Sequence, residues 1–348
     1  MKNIDLEKYC LRTDLAFEAL DDYKRVEYSE DLDDYEYEQD NMIIRRTVIN
    51  DNISKKIDKK PGLYYSLDTS AIKTHDHDDL LNCENALTFI IKDVLKIEKI
   101  TQKHKGLIVG LGNVNVTPDS LGPLVIDNVI VTRHMFVINP EGLSEGISEV
   151  SALAPGVMGT TGIDTVDIID AITKKIDVDY IIAVDALASK SIARVNKTIQ
   201  VTNTGISPGS GVGNKRKELS RNTIGIPVIA VGVPTVVDAV TIASDTVDFL
   251  LKYFNTKLNE GEASQIIMNN AIDYEDADLP SDKYKKHFLG EFGVLDDDAK
   301  RELIQTVLTP SGYNMMVTPK EVDLDIEDLT TIISGAIDRS LHTIVDHN

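Results

Sequence analysis

Cysteine, tryptophan and long apolar runs are scarce or missing in this sequence. It has two cysteines, Cys10 and Cys83, no tryptophan, and no apolar run near the roughly eighteen residues of a membrane helix. Without a CxxC pair, the cysteines offer no zinc-ligand spacing and are typical of a reducing compartment. Residues 1–5 also lack the apolar core of a signal peptide, so we expect a cytoplasmic protein outside the membrane.

Basic residues are also few. The chain has 36 Lys and Arg against 57 Asp and Glu, a formal net charge of −21. Such a charge repels nucleic acids and anionic membranes, so neither is expected as a direct partner. Eleven of the acids lie between Glu18 and Asp40, where only Lys24 and Arg25 oppose them. This run predicts a solvated acidic loop over about 18–40.

Apolar residues are sufficient for a substantial core, since 42% of the 348 residues are hydrophobic. Three continuous apolar runs predict strands that are covered on both faces: Gly106–Leu111, Tyr180–Asp185 and Ile226–Pro234. Amphipathic stretches predict helices over Asn85–Ile100, Leu121–His134, Asp164–Ile176, Val236–Phe254 and Ile326–Val345. Alternating strands and helices indicate an α/β fold with a doubly wound, mostly parallel sheet flanked by helices.

Between the last two helices, residues about 255–320 are more polar and are broken by proline and glycine. We interpret this segment as a small peripheral lobe. No internal repeat or low-complexity linker divides the rest of the chain, which predicts a single large α/β domain.

Asp119 lies in a glycine-rich loop, Gly110–Pro123, between the first predicted strand and a predicted helix. Ligands of open parallel sheets bind at this edge, so the position suits a reactive carboxylate. An aspartate just before a helix is more often an N-cap, and spacing alone favours that interpretation. A dinucleotide site is not expected, because Asn115 stands where the G-x-G-x-x-G pattern needs its third glycine.

Asp185 ends the second predicted strand, at the same edge of the sheet. If the two strands are neighbours, Asp119 and Asp185 can share a proton and serve as acid and base toward a water molecule. The alternative is two unrelated aspartates in turns, which spacing alone favours.

The loop over residues 205–217 contains Gly209, Gly211 and Gly213, followed by Lys215. It resembles a phosphate cradle but lacks the G-K-[ST] ending of a P-loop. Its N–H groups could instead form an oxyanion or substrate-binding site, or the loop could be only flexible. His75 and His77 are interpreted as part of an acidic helix start, and no metal site or cofactor is predicted.

Six blocks of sequence resemble the germination proteases of endospore-forming bacteria: Val109–Pro123, Thr132–His134, Ala154–Gly159, Ala183–Ala188, Thr204–Ser220 and Gly232–Ala239. The resemblance implies a hydrolase, an endopeptidase that degrades small acid-soluble spore proteins during germination. It also implies an inactive precursor (a zymogen) that processes itself, and a homo-oligomer in the spore core.

The resemblance further implies a processing site between Asp14 and Leu15. The family cuts after an acidic residue and before a hydrophobic residue followed by alanine, which is Ala16 here. Cleavage would remove residues 1–14 as a propeptide and leave 15–348 as the peptidase domain.

Germination proteases in turn resemble the hydrogenase-maturation proteases in fold, and acidic residues of those enzymes match Asp119 and Asp185. This resemblance implies that the two aspartates form a catalytic pair. The maturation proteases complete a nickel site with a histidine, whereas this chain has no histidine between His134 and His287. Two alternatives stay open: a nickel-dependent maturation-type protease, and a non-catalytic phosphate-binding module built on the Gly209 loop.

Overall fold

The computed structural model describes residues 13–26, 32–69, 72, 74–139, 145–208, 217–259, 277–308 and 315–345. Its strands are β1 Asp33–Gln39, β2 Met42–Ile49, β3 Gly62–Asp68, β4 Gly106–Gly110, β5 Val150–Leu153, β6 Tyr180–Ser189, β7 Thr198–Thr202, β8 Val228–Asp238 and β9 Met316–Val317. Its helices are α1 Ala16–Val26, α2 Asp51–Ile57, α3 His77–Ile97, α4 Leu121–Asn128, α5 Arg133–Ile138, α6 Met158–Thr161, α7 Thr165–Ile176, α8 Arg221–Ile224, α9 Ala239–Asn259, α10 Asp282–Leu289, α11 Asp297–Leu308 and α12 Val322–Leu341.

The chain divides into two compact units. The larger contains Thr13–Ser189, Ala193–Val236 and Thr318–Asn348, and the smaller contains Lys190–Ile192 and Val237–Val317. The smaller unit therefore includes most of the segment 255–320 that the sequence marks as a lobe, but it begins earlier. The division into a propeptide and a peptidase domain stays a prediction.

The larger unit is built on one sheet with the strand order β1-β2-β3-β7-β8-β6-β4-β5. β4 is parallel to both β5 and β6. β8 runs in the same direction as β6, because Ile181 bonds to Pro227 near their starts and Leu187 lies against Gly232 farther along. The predicted α/β fold with a parallel, helix-flanked sheet is confirmed for this half of the sheet.

The other half of the sheet is antiparallel, which the sequence did not indicate. β2 pairs antiparallel with β1 and β3, and β7 pairs antiparallel with β3 and β8. The three predicted strands are β4, β6 and β8, which lie side by side. β6 continues beyond Asp185 to Ser189, so Asp185 lies inside a strand rather than at its end.

Helices cover both faces of this sheet. On one face, α3, α4 and α12 pack on the strands through a large apolar cluster that includes Leu87, Ile91, Val184 and Ile333. On the other, α7 packs near β4 and β6 through Ile169, and α1 packs near β3 through Phe17 and Leu20. Burying each such side chain contributes roughly 1.5–3 kcal/mol, so these faces fix where the strand ends lie.

The predicted helix Leu121–His134 is in fact two helices, α4 and α5. The chain leaves the helical conformation at Val129 and becomes extended. Between the two helices, Thr132 forms two hydrogen bonds with Val150, the first residue of β5. The N–H of Thr132 donates to the carbonyl of Val150, and the N–H of Val150 donates to the Thr132 hydroxyl. These bonds of 2.9 Å replace the helical ones.

The acidic segment 18–40 is not a solvated loop where the structure describes it. Its two ends form α1 and β1, and Arg45 on β2 binds Asp34 with two hydrogen bonds of 2.9 Å. Burial opposes the charge of Asp34, but hydrogen bonds from Arg45, Lys24 and Thr47 lower its pKa to about 2. Ion pairs thus order a segment that charge alone predicts to be solvated.

In the smaller unit, the last residues of β8 pair with β9, with Asp238 opposite Met316. α9 and α10 meet through the rings of Phe254 and Phe288, whose centroids lie 4.9 Å apart. Lys300 on α11 lies 3.6 Å from Asp248 on α9. Of the described helices in either unit, none is long and apolar enough to pass through a membrane.

Candidate active site

The two predicted catalytic aspartates lie near the end of β4, Asp119 in the loop that follows it and Asp185 on the neighbouring strand β6. β4 and β6 are adjacent, and the last residue of β4, Gly110, pairs with Val184. Leu111 then donates its N–H to the carbonyl of Val184 at 2.8 Å. Asp185 is therefore the first residue of β6 beyond the end of β4, where the chain of β4 enters the loop that carries Asp119. Crevices beyond strand ends are the usual ligand sites of such sheets.

Asp119 is the last residue of a single 3-10 turn, Thr117–Asp119. Its N–H donates to the carbonyl of Val116 at 2.7 Å, and its carbonyl accepts the N–H of Asn113 at 2.9 Å. Ser120, not Asp119, takes the N-cap position of α4. Spacing favours Asp119 as the N-cap, whereas the structure gives that position to Ser120 and puts the half-buried Asp119 in a turn closed by its own backbone.

Two glycines allow this turn to lie against the sheet. Gly112 has a φ of 114°, and a Cβ there would lie 2.1 Å from the carbonyl oxygen of Asp119. A Cβ on Gly122, in the first turn of α4, would lie 2.2 Å from the carbonyl oxygen of Leu111 and 2.7 Å from that of Val184. Any larger residue would push the Asp119 turn away from the ends of β4 and β6.

Thr235, which we did not predict, supports the Asp119 turn from β8. This side chain is 1% exposed, and its hydroxyl donates to the carbonyl of Pro118 at 2.6 Å. Its own carbonyl accepts the hydroxyl of Thr318 at 2.9 Å. The signal available in the sequence was its place in the block Gly232–Ala239, one of those that resemble the germination proteases.

Asp185 is 5% exposed and lies between buried apolar residues, Val184 and Ala183 on one side of it in the strand and Leu187 on the other. A carboxylate this deeply buried needs bound partners to stay charged, or it takes up a proton. The two predicted catalytic residues thus differ in environment, one buried in a strand and one half-buried in a turn.

The residue before the predicted cleavage bond, Asp14, is hydrogen-bonded to β6. Asp14 donates its N–H to the carbonyl of Ala188 at 3.1 Å, and its carboxylate accepts the N–H of Ala188 at 2.9 Å. Ala188 is three residues beyond Asp185, about 10 Å along an extended strand. Lys59 donates to the carbonyl of Thr13 at 2.5 Å. Burial lowers the pKa of Lys59, while the charges of Asp14, Asp58 and Glu18 act in the other direction.

On the other side of the predicted cleavage bond, the chain is buried. Leu15 is 1% exposed, and the N–H of Ala16 donates to the side-chain oxygen of Gln200 on β7 at 2.7 Å. Leu15 directly precedes α1, which begins at Ala16 and whose Phe17 and Leu20 lie in the apolar cluster with Tyr64.

Gly209, Gly211, Gly213 and Lys215 lie outside the described residues. At the base of their loop, Ile206 and Leu219 exchange two backbone hydrogen bonds of 2.9 and 2.8 Å. His77 begins α3, which Asp76 caps by accepting two N–H groups, as the sequence indicates. No group of three or more His, Cys, Asp or Glu suited to hold a metal ion occurs within the described ranges.

Comparison with known proteins agrees with the predicted family. The family model of the germination proteases matches residues 14–348. Germination proteases of Bacillus cereus (strain 03BB102) and Bacillus anthracis (strain A0248) are each 46% identical over 357 residues, covering 99% of this chain and 97% of each relative. That of Bacillus thuringiensis subsp. konkukian (strain 97-27) is 46% identical over 356 residues, with the same coverage.

Among solved structures, the chain is similar to the nickel-iron hydrogenase maturation protease HycI from Thermococcus kodakarensis KOD1. That similarity has a TM-score of 0.27 at 19% identity and covers 42% of this chain and 80% of that one, which is too slight to support an argument about the site. The family match and the curated relatives extend over nearly the whole chain. This chain is therefore a peptidase that belongs to the germination protease family.

Proposed function

We propose that this peptidase is made as a zymogen and cleaves small acid-soluble spore proteins in the spore core. In this proposal the cut follows an acidic residue and precedes a hydrophobic residue followed by alanine. The same specificity applied to its own chain would break the bond between Asp14 and Leu15. We further propose that the enzyme works as a homo-oligomer, as the resemblance implies.

The observation that supports this function best is the pair of hydrogen bonds between Asp14 and Ala188. The residue before the proposed cut is held on β6, the same strand that carries Asp185. Backbone bonds to a strand are a common way for proteases and other domains to hold an extended peptide. In addition, the acidic side chain takes part in the bond, which gives a physical reason to prefer an acid at this position.

The proposed mechanism uses Asp119 and Asp185 as a pair. An ionised carboxylate removes a proton from a water molecule, whose oxygen attacks the peptide carbonyl carbon. The other carboxyl group, protonated at that stage, donates its proton to the leaving nitrogen as the C–N bond breaks. The N–H groups of Gly209, Gly211 and Gly213 would stabilise the oxyanion, and Lys215 would meet the acidic side chain.

The test replaces each aspartate separately, as Asp119→Asn and Asp185→Asn, and measures cleavage of a peptide that contains Thr-Asp-Leu-Ala. Each substitution keeps the side-chain volume and removes the titrating group, so we expect a loss of at least roughly a hundredfold in kcat/KM. Asp167→Asn is the matched control, because Asp167 is exposed and pairs with Lys217.

A second readout is the N-terminus of the full-length chain after incubation. We expect Leu15 to appear with the wild-type chain and not with the Asp119 or Asp185 variants. Full activity in either variant would remove that aspartate from the mechanism. Any other N-terminus would contradict the proposed processing site.

A further inference from the structure

The nitrogen of Leu15 is connected to a buried carboxylate through one hydroxyl group. The N–H of Leu15 donates to the hydroxyl oxygen of Thr13 at 3.0 Å, and that hydroxyl donates to Oε2 of Glu18. Glu18 lies in the first turn of α1 and is 6% exposed. In the uncleaved chain, Thr13 therefore separates the Leu15 nitrogen from the Glu18 carboxylate.

The same carboxylate also contacts the strand of the candidate active site. The buried Ser189, the last residue of β6, donates its hydroxyl to Oε1 of Glu18 at 3.1 Å. Arg194, which follows β6 in the chain, places its Nε 3.8 Å from the same oxygen. Glu18 thus joins the start of α1 to the end of β6, four residues beyond Asp185.

The residues that follow the proposed cut are built into the fold. Leu15, Ala16 and Phe17 are buried, and the last two share an apolar cluster with Leu20 and Tyr64. The Ala16 N–H is bound by Gln200. Removal of residues 1–14 would take Thr13 away and leave the Leu15 nitrogen where it is, because its neighbours are held by the core rather than by the propeptide.

Hydrolysis of the Asp14–Leu15 bond changes that nitrogen chemically. The C–N bond breaks, the water oxygen joins the carbonyl carbon of Asp14, and the Leu15 nitrogen becomes an amine. At neutral pH the amine takes up one more proton and is an ammonium group with three donors. A cation is thus created next to a buried carboxylate at the moment when that carboxylate loses the Thr13 hydroxyl.

We propose that Glu18 receives the new Leu15 ammonium group, and that this ion pair positions the end of β6 in the processed enzyme. The inference rests on the processing step proposed above. Glu18 is a positioning residue that acts through Ser189 on the strand of Asp185. Cleavage would then activate the enzyme by forming a contact, as well as by releasing residues 1–14.

The ammonium group would have several charged neighbours. Glu18 and Asp21 lie on α1, Lys59 precedes β3, Arg194 follows β6, and Arg45 of β2 lies over the Phe17 ring at 5.0 Å. Arg45 and Arg194 both pair with Asp21, at 2.8 and 3.3 Å. The Leu15 nitrogen already reaches the Glu18 carboxylate through the Thr13 hydroxyl. Asp21 lies on the same helix and pairs with the two arginines, so it provides the matched control.

The experiment starts from the full-length chain and lets it process. The pKa of the Leu15 amine is measured by NMR on chain labelled with 15N-leucine, in the wild type and in Glu18→Gln, Glu18→Asp and Asp21→Asn. In the wild type we expect a value at least one unit above the ordinary 7.7–8.0 of an α-amine, and in Glu18→Gln a return to roughly that range.

Activity of the processed variants is the second measurement. We expect Glu18→Gln to lower kcat about tenfold with little change in KM, Glu18→Asp to restore part of it, and Asp21→Asn to resemble the wild type. Wild-type activity should fall above the raised pKa of the amine, and this alkaline limb should move to lower pH in Glu18→Gln. A residue needed only for folding would not move that limb.

The outcomes separate the two proposals. If Leu15 is the N-terminus but its amine has an ordinary pKa in the wild type, the Glu18 contact is wrong while processing stands. The same conclusion follows if Glu18→Gln keeps full activity and an unchanged pH profile. If a different N-terminus appears, both fail. Should Glu18→Gln not fold, the wild-type titration alone decides.

Discussion

The Asp119 turn and the Thr13–Ala16 segment both bring an aspartate beside β6, but they are held by different means. The Asp119 turn is closed by its own backbone and rests on glycines that allow direct contact with the sheet. The Thr13–Ala16 segment is held by distant partners: Ala188, Lys59 and Gln200. The first arrangement suits the fixed geometry of the proposed catalytic site. The second suits the proposed processing, in which Thr13 and Asp14 would leave while the buried Leu15 and Ala16 stay in the core.

The largest effect is expected from Gly122→Ala, which tests whether the Asp119 turn is rigidly held against the sheet. The new Cβ would meet the carbonyl oxygens of Leu111 and Val184 at 2.2 and 2.7 Å, and backbone atoms in a packed sheet cannot move away cheaply. We expect the free energy of unfolding to fall by about 3 kcal/mol and activity to be lost. Urea unfolding measures the change in the free energy of unfolding. Gly159→Ala is the control, because a Cβ there meets nothing within 4 Å. Equal stability of the two variants would show that the turn is not rigidly held.

The next largest effect is expected from Thr235→Val, which keeps the shape of the side chain and removes the donor to the Pro118 carbonyl. Losing a buried hydrogen bond costs about 1–3 kcal/mol. Because the bond supports the turn and not the substrate, kcat should fall about tenfold while KM changes little. Thr331→Val, at an exposed helical threonine, should leave both constants unchanged. A rise in KM alone would instead place Thr235 in substrate binding.

The docking of α1 can be tested with pH, because ion pairs add to its apolar packing: Lys24 of α1 pairs with Asp34, and Asp21 of α1 pairs with Arg45. The folded-state pKa of Asp34 is lowered from 3.8 to about 2; burial works against this, and bonds from Arg45, Lys24 and Thr47 outweigh it. Its stabilisation is therefore complete above 3.8 and is lost as the pH falls toward 2.

We expect about 1–2 kcal/mol of unfolding free energy to disappear in that pH window. Asp34→Asn should remove this part of the pH dependence, which urea unfolding from pH 5 to 2.5 can measure. Limited proteolysis over the same range should cut near α1 before the Asp119 turn. Simultaneous cutting at both places would argue that the two regions unfold together.

The sequence indicates the parallel half of the sheet far better than the antiparallel half, for a physical reason. β4, β6 and β8 are covered on both faces, so their apolar residues run without interruption. β1 has no such signal, since it reads Asp-Asp-Tyr-Glu-Tyr-Glu-Gln. It becomes a strand because Arg45 and Arg46 of β2 stand opposite Glu36 and Tyr35 and bind Asp34 and Asp33. These partners are found only once the hairpin has formed.

In the candidate site, too, some residues could be predicted from the sequence and others could not. Asp119 and Asp185 could be named because each follows or ends an apolar run and lies in a block that resembles a known family. The support from Thr235 could not be derived from residue patterns, since its bond joins residues 117 positions apart. The hydrogen bond between Asp14 and Ala188 could not be derived either, because it joins residues 174 positions apart.

The smallest expected effect concerns Lys59 and tests whether the processing segment is held in place by removable contacts. Lys59→Met keeps most of the side-chain length and removes the donor to the Thr13 carbonyl. One hydrogen bond contributes about 0.5–1.5 kcal/mol, so cleavage at Asp14–Leu15 should become roughly three- to tenfold faster as the segment opens more often. The rate is followed by the appearance of the Leu15 N-terminus. Lys60→Met is the matched control, because Lys60 pairs instead with Glu218. Slower cleavage in Lys59→Met would mean that Lys59 presents the bond for reaction, and the segment would then share the fixed geometry of the Asp119 turn.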